Sequence, residues 1–207
     1  MNDSFLVLPR SVQGVVSPLT PLTPLSPPTP LSRRGALAGA VLSASAVALL
    51  GGRDALAAGA KGDPANDVRI LNTALAAELE AVAAYQVGAE SSLLGKPALA
   101  LAQQFQGHHK EHAEALAGTV SKMGGKPVAK KDKYTFPTDK LKNEADVLRF
   151  AAGLERGAVA AYLGAVPVLD DRKLAQVAAS ILGDEAMHWA VLRNALGETP
   201  VPAAFMS

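Results

Sequence analysis

Three of the chain's four histidines fall within five positions, in the stretch Phe105-Gln106-Gly107-His108-His109-Lys110-Glu111-His112. The fourth closes Glu185-Ala186-Met187-His188. Imidazole nitrogen and carboxylate oxygen at such spacing are the donor types that hold divalent cations. With no cysteine in the chain, thiolate metal sites, disulfides and cysteine nucleophiles are excluded. A net charge of +1 argues against a nucleic-acid partner.

Helical neighbours show which carboxylates point inward. Glu78 shares a stripe with Leu71, Leu75, Val82 and Tyr85. Glu155 shares one with Leu148, Ala151, Val159 and Tyr162, while Glu185 and His188 stand between Ile181 and Leu192. Ionisable groups on apolar faces need partners, because burying a charge unpaired is costly. A divalent cation would serve three such carboxylates at once; ion pairing with histidine or arginine is the simpler alternative. Glu80 has a weaker claim to the core, and Glu111 and Glu114 read as solvated. His108 reads as a solvated residue or as a neighbour of the ligands. Tyr85 and Tyr162 read as core residues with hydrogen-bonded hydroxyls, and Trp189 as packing.

These residues lie on four predicted helices. Abundant alanine and only 4% aromatic residues suit packed helices more than strands. Asp63-Pro64 is a cap followed by proline, opening a helix that runs to about Ser92. Gly95-Lys96-Pro97 breaks the chain and starts a second helix, which ends at Gly124-Gly125. A third begins at Asn143, with Asp146 three residues on, and runs to about Val166. Pro167 and Asp170-Asp171 make a turn, and a fourth helix runs from about Arg172 to Leu196. Residues 125–142 show no period; extended, such a stretch reaches roughly 60 Å. A 28-residue helix is about 42 Å long, so the connection can cross a bundle end to end.

The two hairpins resemble each other. Glu78-Leu79-Glu80-Ala81-Val82-Ala83-Ala84-Tyr85 and Glu155-Arg156-Gly157-Ala158-Val159-Ala160-Ala161-Tyr162 agree at Glu and throughout Ala-Val-Ala-Ala-Tyr. His112 follows Glu78 by 34 residues, and His188 follows Glu155 by 33. Residues equidistant from a turn lie level in an antiparallel hairpin. The midpoint of 78 and 112 is Gly95, and that of 155 and 188 lies between Asp171 and Arg172. Each glutamate is therefore expected to face its histidine.

Residues 1–60 are read as a leader, separate from a helical domain at 61–207. Residues 11–32 are proline-rich. Ser32-Arg33-Arg34 precedes an apolar run from Ala36 to Leu50, too short for a comfortable membrane span. Small-residue sites follow at Ala55-Leu56-Ala57 and Ala58-Gly59-Ala60. This is the order of a cleaved export signal, and the paired arginines resemble a twin-arginine (Tat) signal. The expectation is a periplasmic or otherwise extracytoplasmic protein that meets the twin-arginine export machinery. An ordinary secretory signal or an uncleaved anchor is the alternative.

The ordered set of Glu78, His112, Glu155 and Glu185-Ala186-Met187-His188 resembles the ferritin-like superfamily of bacterioferritin and rubrerythrin relatives, over about residues 64–197. The resemblance implies an all-α, ferritin-like four-helix bundle of two hairpins joined by a long crossover. It also implies metal ligands at Glu78, His112, Glu155, Glu185 and His188. The residue three before His112 is His109, where the family pattern has a glutamate that bridges two metals. His109 is therefore a variant ligand, and one ion, two ions bridged by Glu185, or a vestigial site all remain open. Iron or manganese suits the ligands best, zinc less well. The expected activity is Fe(II) oxidation or peroxide reduction; a non-catalytic, stress-related structural or binding bundle is the alternative. A storage cage is not expected, and the oligomeric state, a homo-oligomer included, is left open.

Overall fold

The computed structural model describes residues 63–206. The leader and export signal expected in residues 1–60 lie outside the described residues. The described residues form four α-helices and no strand: α1 (Pro64–Glu90), α2 (Lys96–Lys122), α3 (Glu144–Ala165) and α4 (Arg172–Ala195). Short 3-10 turns cover Thr138–Lys140 and Val166–Val168. None of these helices is long and apolar enough to cross a membrane.

The helix ends follow local chemistry. Asp63 accepts a hydrogen bond from the Ala65 N–H, with Pro64 in the first turn, where its missing N–H costs nothing. Asn143 accepts from the Asp146 N–H. The Asp146 carboxylate accepts in turn from the N–H of Lys142, one residue earlier than a capping box would place it. Gly124 and Gly197 follow α2 and α4 with φ of +78° and +72°, the left-handed conformation glycine adopts without a Cβ clash.

α1 packs along α2, and α3 along α4. The two hairpins are tied to each other at their turns. Asp67, buried in the first turn of α1, accepts from the N–H groups of Asp170 and Asp171 at 2.9 and 3.0 Å. Glu144, in the first turn of α3, accepts from the Gly95 N–H at 2.6 Å. Hydrogen bonds to a charged group contribute about 1.5–3 kcal/mol each, and Asp67 makes two at a site shielded from water. Asp67→Ala should therefore lower unfolding free energy by roughly 2 kcal/mol or more in a denaturant titration. A change within about 0.5 kcal/mol, the range of ordinary surface substitutions, would show the tie to be dispensable.

The core has three layers. One apolar cluster holds Leu71, Leu75, Leu116, Val120, Tyr162 and Ile181. Another holds Tyr85, Phe105, Leu148 and Leu192. Between them lie the charged residues, with Glu78 3%, His109 1%, Glu155 0%, Glu185 0% and His188 2% exposed. The long connection is fastened at both ends. Asn72 bonds the Lys126 carbonyl and the Val128 N–H, and Phe136 meets Phe150 edge to face at 5.9 Å.

Candidate metal centre

Each helix contributes to the charged layer: Glu78 from α1, His109 and His112 from α2, Glu155 from α3, Glu185 and His188 from α4. The layer has two halves. In the first, His112 Nδ1 lies 3.6 Å from Glu78 Oε2 and 3.2 Å from Glu185 Oε1. In the second, His188 Nδ1 lies 3.4 Å from Glu155 Oε2 and 3.5 Å from Glu185 Oε2. Glu185 thus offers one oxygen to each half, and each histidine meets the glutamate across its own hairpin.

Buried polar atoms are almost always hydrogen-bonded. Among the described residues, five buried side-chain atoms have no hydrogen-bond partner: His112 Nδ1, His188 Nδ1, Glu155 Oε2 and both oxygens of Glu185. All five point into this layer. An unsatisfied buried donor or acceptor is destabilising, and a cation coordinated by these atoms removes that penalty. The donor set of imidazole nitrogen and carboxylate oxygen fits iron or manganese.

His109 differs from the other two histidines. Its Nδ1 lies 2.8 Å from Glu78 Oε2 and its Nε2 3.3 Å from Glu155 Oε1, so both ring nitrogens meet carboxylates. Protonated, it is an internal cation linking α1 to α3; neutral, it has one lone pair for a metal. Metal-ligand groupings can be drawn around each half, and His109 belongs to both.

Outside this layer stand residues that sequence reasoning placed less well. Tyr162 Oη donates to Glu78 Oε1 at 2.6 Å, and Tyr85 Oη donates to Glu155 Oε1. Both hydroxyls are bonded, as expected, but each to the glutamate of the other hairpin. Spacing along one helix cannot show that. Asp184 was missed. Its Oδ2 lies 3.1 Å from His188 Nε2 and 3.4 Å from His112 Nε2, so it faces the outer edge of both imidazoles. The available signal was its position four residues before His188, one helical turn away. His108 is partly exposed and reaches Asp184 and His188. Glu80 is more buried than expected, at 9% exposure, but belongs to none of the metal-ligand groupings. Glu111 and Glu114 are exposed, as the sequence implied.

Burial alone would lower the pKa of His112, but the carboxylates of Glu185 and Glu78 outweigh it and hold the ring at about 9. Burial likewise opposes the charge on His188, and Glu155 and Glu185 raise it to about 9. Burial pushes Glu155 up, while its polar neighbours, His109 and His188 among them, bring it well below its usual range. Raised histidines stabilise the fold fully below their ordinary value of 6.5, and that contribution fades as pH rises through about 9. Depressed glutamates contribute above their ordinary value of 4.5 and lose that contribution as pH falls. Chelator-treated protein should therefore be most stable between pH 4.5 and 6.5 and weaken steadily toward pH 9. Denaturant midpoints across that range check this; a flat profile above pH 6.5 would contradict it. Metal affinity should move the other way, rising toward pH 9 as protons cease to compete for the histidines.

Residues 66–198 match the model of the ferritin-like domain. The chain belongs to the ferritin-like domain family. A solved structure similar to this ferritin-like chain is that of a conserved hypothetical protein from Mycobacterium tuberculosis. It shares 21% identity at a TM-score of 0.60, over 69% of this chain and 99% of that one. At that identity the likeness concerns the fold alone. No curated protein matches the ferritin-like chain. Its four helices, buried His/Glu layer and long crossover agree with the all-α bundle expected from the sequence.

Proposed function

We propose that this ferritin-like protein holds iron or manganese in its buried layer and uses it in Fe(II) oxidation or peroxide reduction. The observation that supports this reading best is the convergence of five unbonded ligand atoms between two apolar clusters. Glu78, His112 and Glu185 Oε1 would hold one position; Glu155, His188 and Glu185 Oε2 would hold the other. His109 would complete either one. Iron or manganese held there would supply redox chemistry: electrons from Fe(II) substrate would pass to dioxygen, or electrons from an external reductant would pass to peroxide.

The chain's own residues orient and insulate the centre. Tyr162 and Tyr85 each hold one oxygen of a single glutamate, leaving Glu78 Oε2 and Glu155 Oε2 directed toward the histidines. Burial pushes both tyrosine hydroxyls well above 10, and the neighbouring glutamates push them further, so they stay protonated donors. The flanking apolar clusters exclude water and strengthen every charge interaction inside.

Metal analysis of the purified protein, followed by exposure to peroxide and to Fe(II) with oxygen, tests the proposal. Bound iron or manganese and turnover of either substrate is the expected result. Bound metal that leaves both substrates untouched would remove the activity, and a folded protein that takes up neither iron nor manganese when incubated with them would remove the site. The second outcome would favour the other reading, a non-catalytic bundle with a vestigial site. The position of His109 against Glu78 and Glu155 speaks for that alternative, since an imidazolium there pairs two carboxylates without a metal.

Export belongs to the same proposal. It rests on Ser32-Arg33-Arg34, the apolar run and the small-residue sites. Arg33→Lys with Arg34→Lys should retain the precursor inside the cell, and unchanged export would exclude the twin-arginine route.

A further inference from the structure

Beyond the buried layer, three ligand atoms meet at its solvent side between α2 and α4. His108 Nδ1 lies 2.8 Å from His188 Nε2, and Asp184 Oδ2 lies 3.1 Å from each of them. His108 and Asp184 side chains are 35% and 23% exposed, so this triangle opens to water. We propose that His108, Asp184 and His188 Nε2 form an outer site for a divalent cation, from which the buried centre is loaded. The inference rests on the buried centre described above and adds its route of supply.

The triangle has the dimensions of a coordination face. Ligands at roughly 2.1 Å on adjacent corners of an octahedral cation sit about 3 Å from one another. All three sides here match that spacing. Two imidazoles and one carboxylate on one face leave the opposite positions to water, as in sites that bind Fe(II) with open positions. Two ring nitrogens at 2.8 Å also cannot both carry hydrogen, so at least one presents a lone pair to the other or to a cation. Phe105 stacks on the His188 ring with centroids 3.9 Å apart, which fixes its plane. One nitrogen therefore faces the outer triangle and the other the buried layer.

His188 makes the two positions alternatives. A neutral imidazole has one lone pair. When Nε2 holds the outer cation, Nδ1 carries hydrogen toward Glu155 Oε2 and Glu185 Oε2, at 3.4 and 3.5 Å. When Nδ1 holds the inner cation, Nε2 carries hydrogen toward Asp184 Oδ2. In the exchange the Nδ1 proton passes to Glu155 Oε2 and on to water while Nε2 takes a proton from water on the exposed side, so the ring keeps one proton, releases the cation outside and opens the ligand inside. The outer site therefore fills while the inner half-site of Glu155 and His188 is incomplete, and empties inward.

Cobalt(II) is a suitable probe, because its visible absorption reports coordination directly. The metal-free full chain would be titrated without oxygen, as wild type, His108→Ala, Glu78→Gln/Glu185→Gln and the triple variant. Circular dichroism would verify folding of each. The Glu78→Gln/Glu185→Gln protein should keep a single cobalt that the triple variant lacks. His108→Ala alone should fill to the wild-type final amount, but about tenfold more slowly at low cobalt, having lost the site that concentrates the ion. Cobalt retained by the triple variant, or loading as fast in His108→Ala as in wild type, overturns the outer site. A wild type and His108→Ala that both lack the inner cobalt signal overturn the buried centre, and the loading role with it.

Discussion

Glu185→Ala protein, incubated with iron(II) or manganese(II) and then desalted, should come through with almost no metal. Glu185 is fully buried, and its two oxygens serve the two halves of the layer separately, 3.2 Å from His112 and 3.5 Å from His188. Its loss removes a ligand from both positions at once. Loss of a group that merely orients a ligand weakens metal binding by about 10–100-fold, so loss of the shared ligand should exceed about a hundredfold. Glu111→Ala, on the exposed face of α2, is the control and should retain metal normally. Equal metal in both variants would mean that the layer is held by ion pairing alone.

Chelation should lower the thermal midpoint of the loaded protein by roughly 10 °C or more. A ligand that binds only the folded chain at about a thousandfold its dissociation constant stabilises it by about 4 kcal/mol. Each kcal/mol shifts the midpoint by roughly 2–4 °C in domains of about 150–250 residues. Part of the effect comes from the unbonded atoms of Glu185, Glu155, His112 and His188, which the metal would satisfy. Differential scanning calorimetry with and without chelator, at constant pH and protein concentration, measures it. An unchanged midpoint favours the bundle without a working site, in which His109 already serves as the cation.

Much of this arrangement was legible along the chain. Equal distance from the Gly95 turn and from the Asp171–Arg172 turn was enough to set Glu78 opposite His112 and Glu155 opposite His188. The helix limits followed from Pro64, Gly95, Asn143 and Gly197, whose chemistry acts locally. Contacts between hairpins were not legible. The pairing of Tyr85 with Glu155, and of Tyr162 with Glu78, depends on how α1 lies against α3, and no spacing within one helix encodes that. Asp184 was overlooked because it is one partly exposed acid among many; only the meeting of α2 and α4 sets it beside three imidazoles. His109 was recognised as a departure from the family pattern, but its contact with two carboxylates at once is a tertiary fact.

The division of Glu185 between the two halves has a consequence for synthesis. A growing chain exposes the α1–α2 hairpin first, and with it Glu78 and His112. That pair has to wait for Glu185, 107 residues beyond Glu78, before the proposed cation position would be complete. The α3–α4 hairpin, by contrast, emerges carrying Glu155, Glu185 and His188 together. Under the proposed function, metal capture would be tied to the appearance of the fourth helix. A truncated chain that stops short of α4 lacks Glu185 and His188, so neither proposed position would be complete, and the enclosing fold would arrive together with the last ligands.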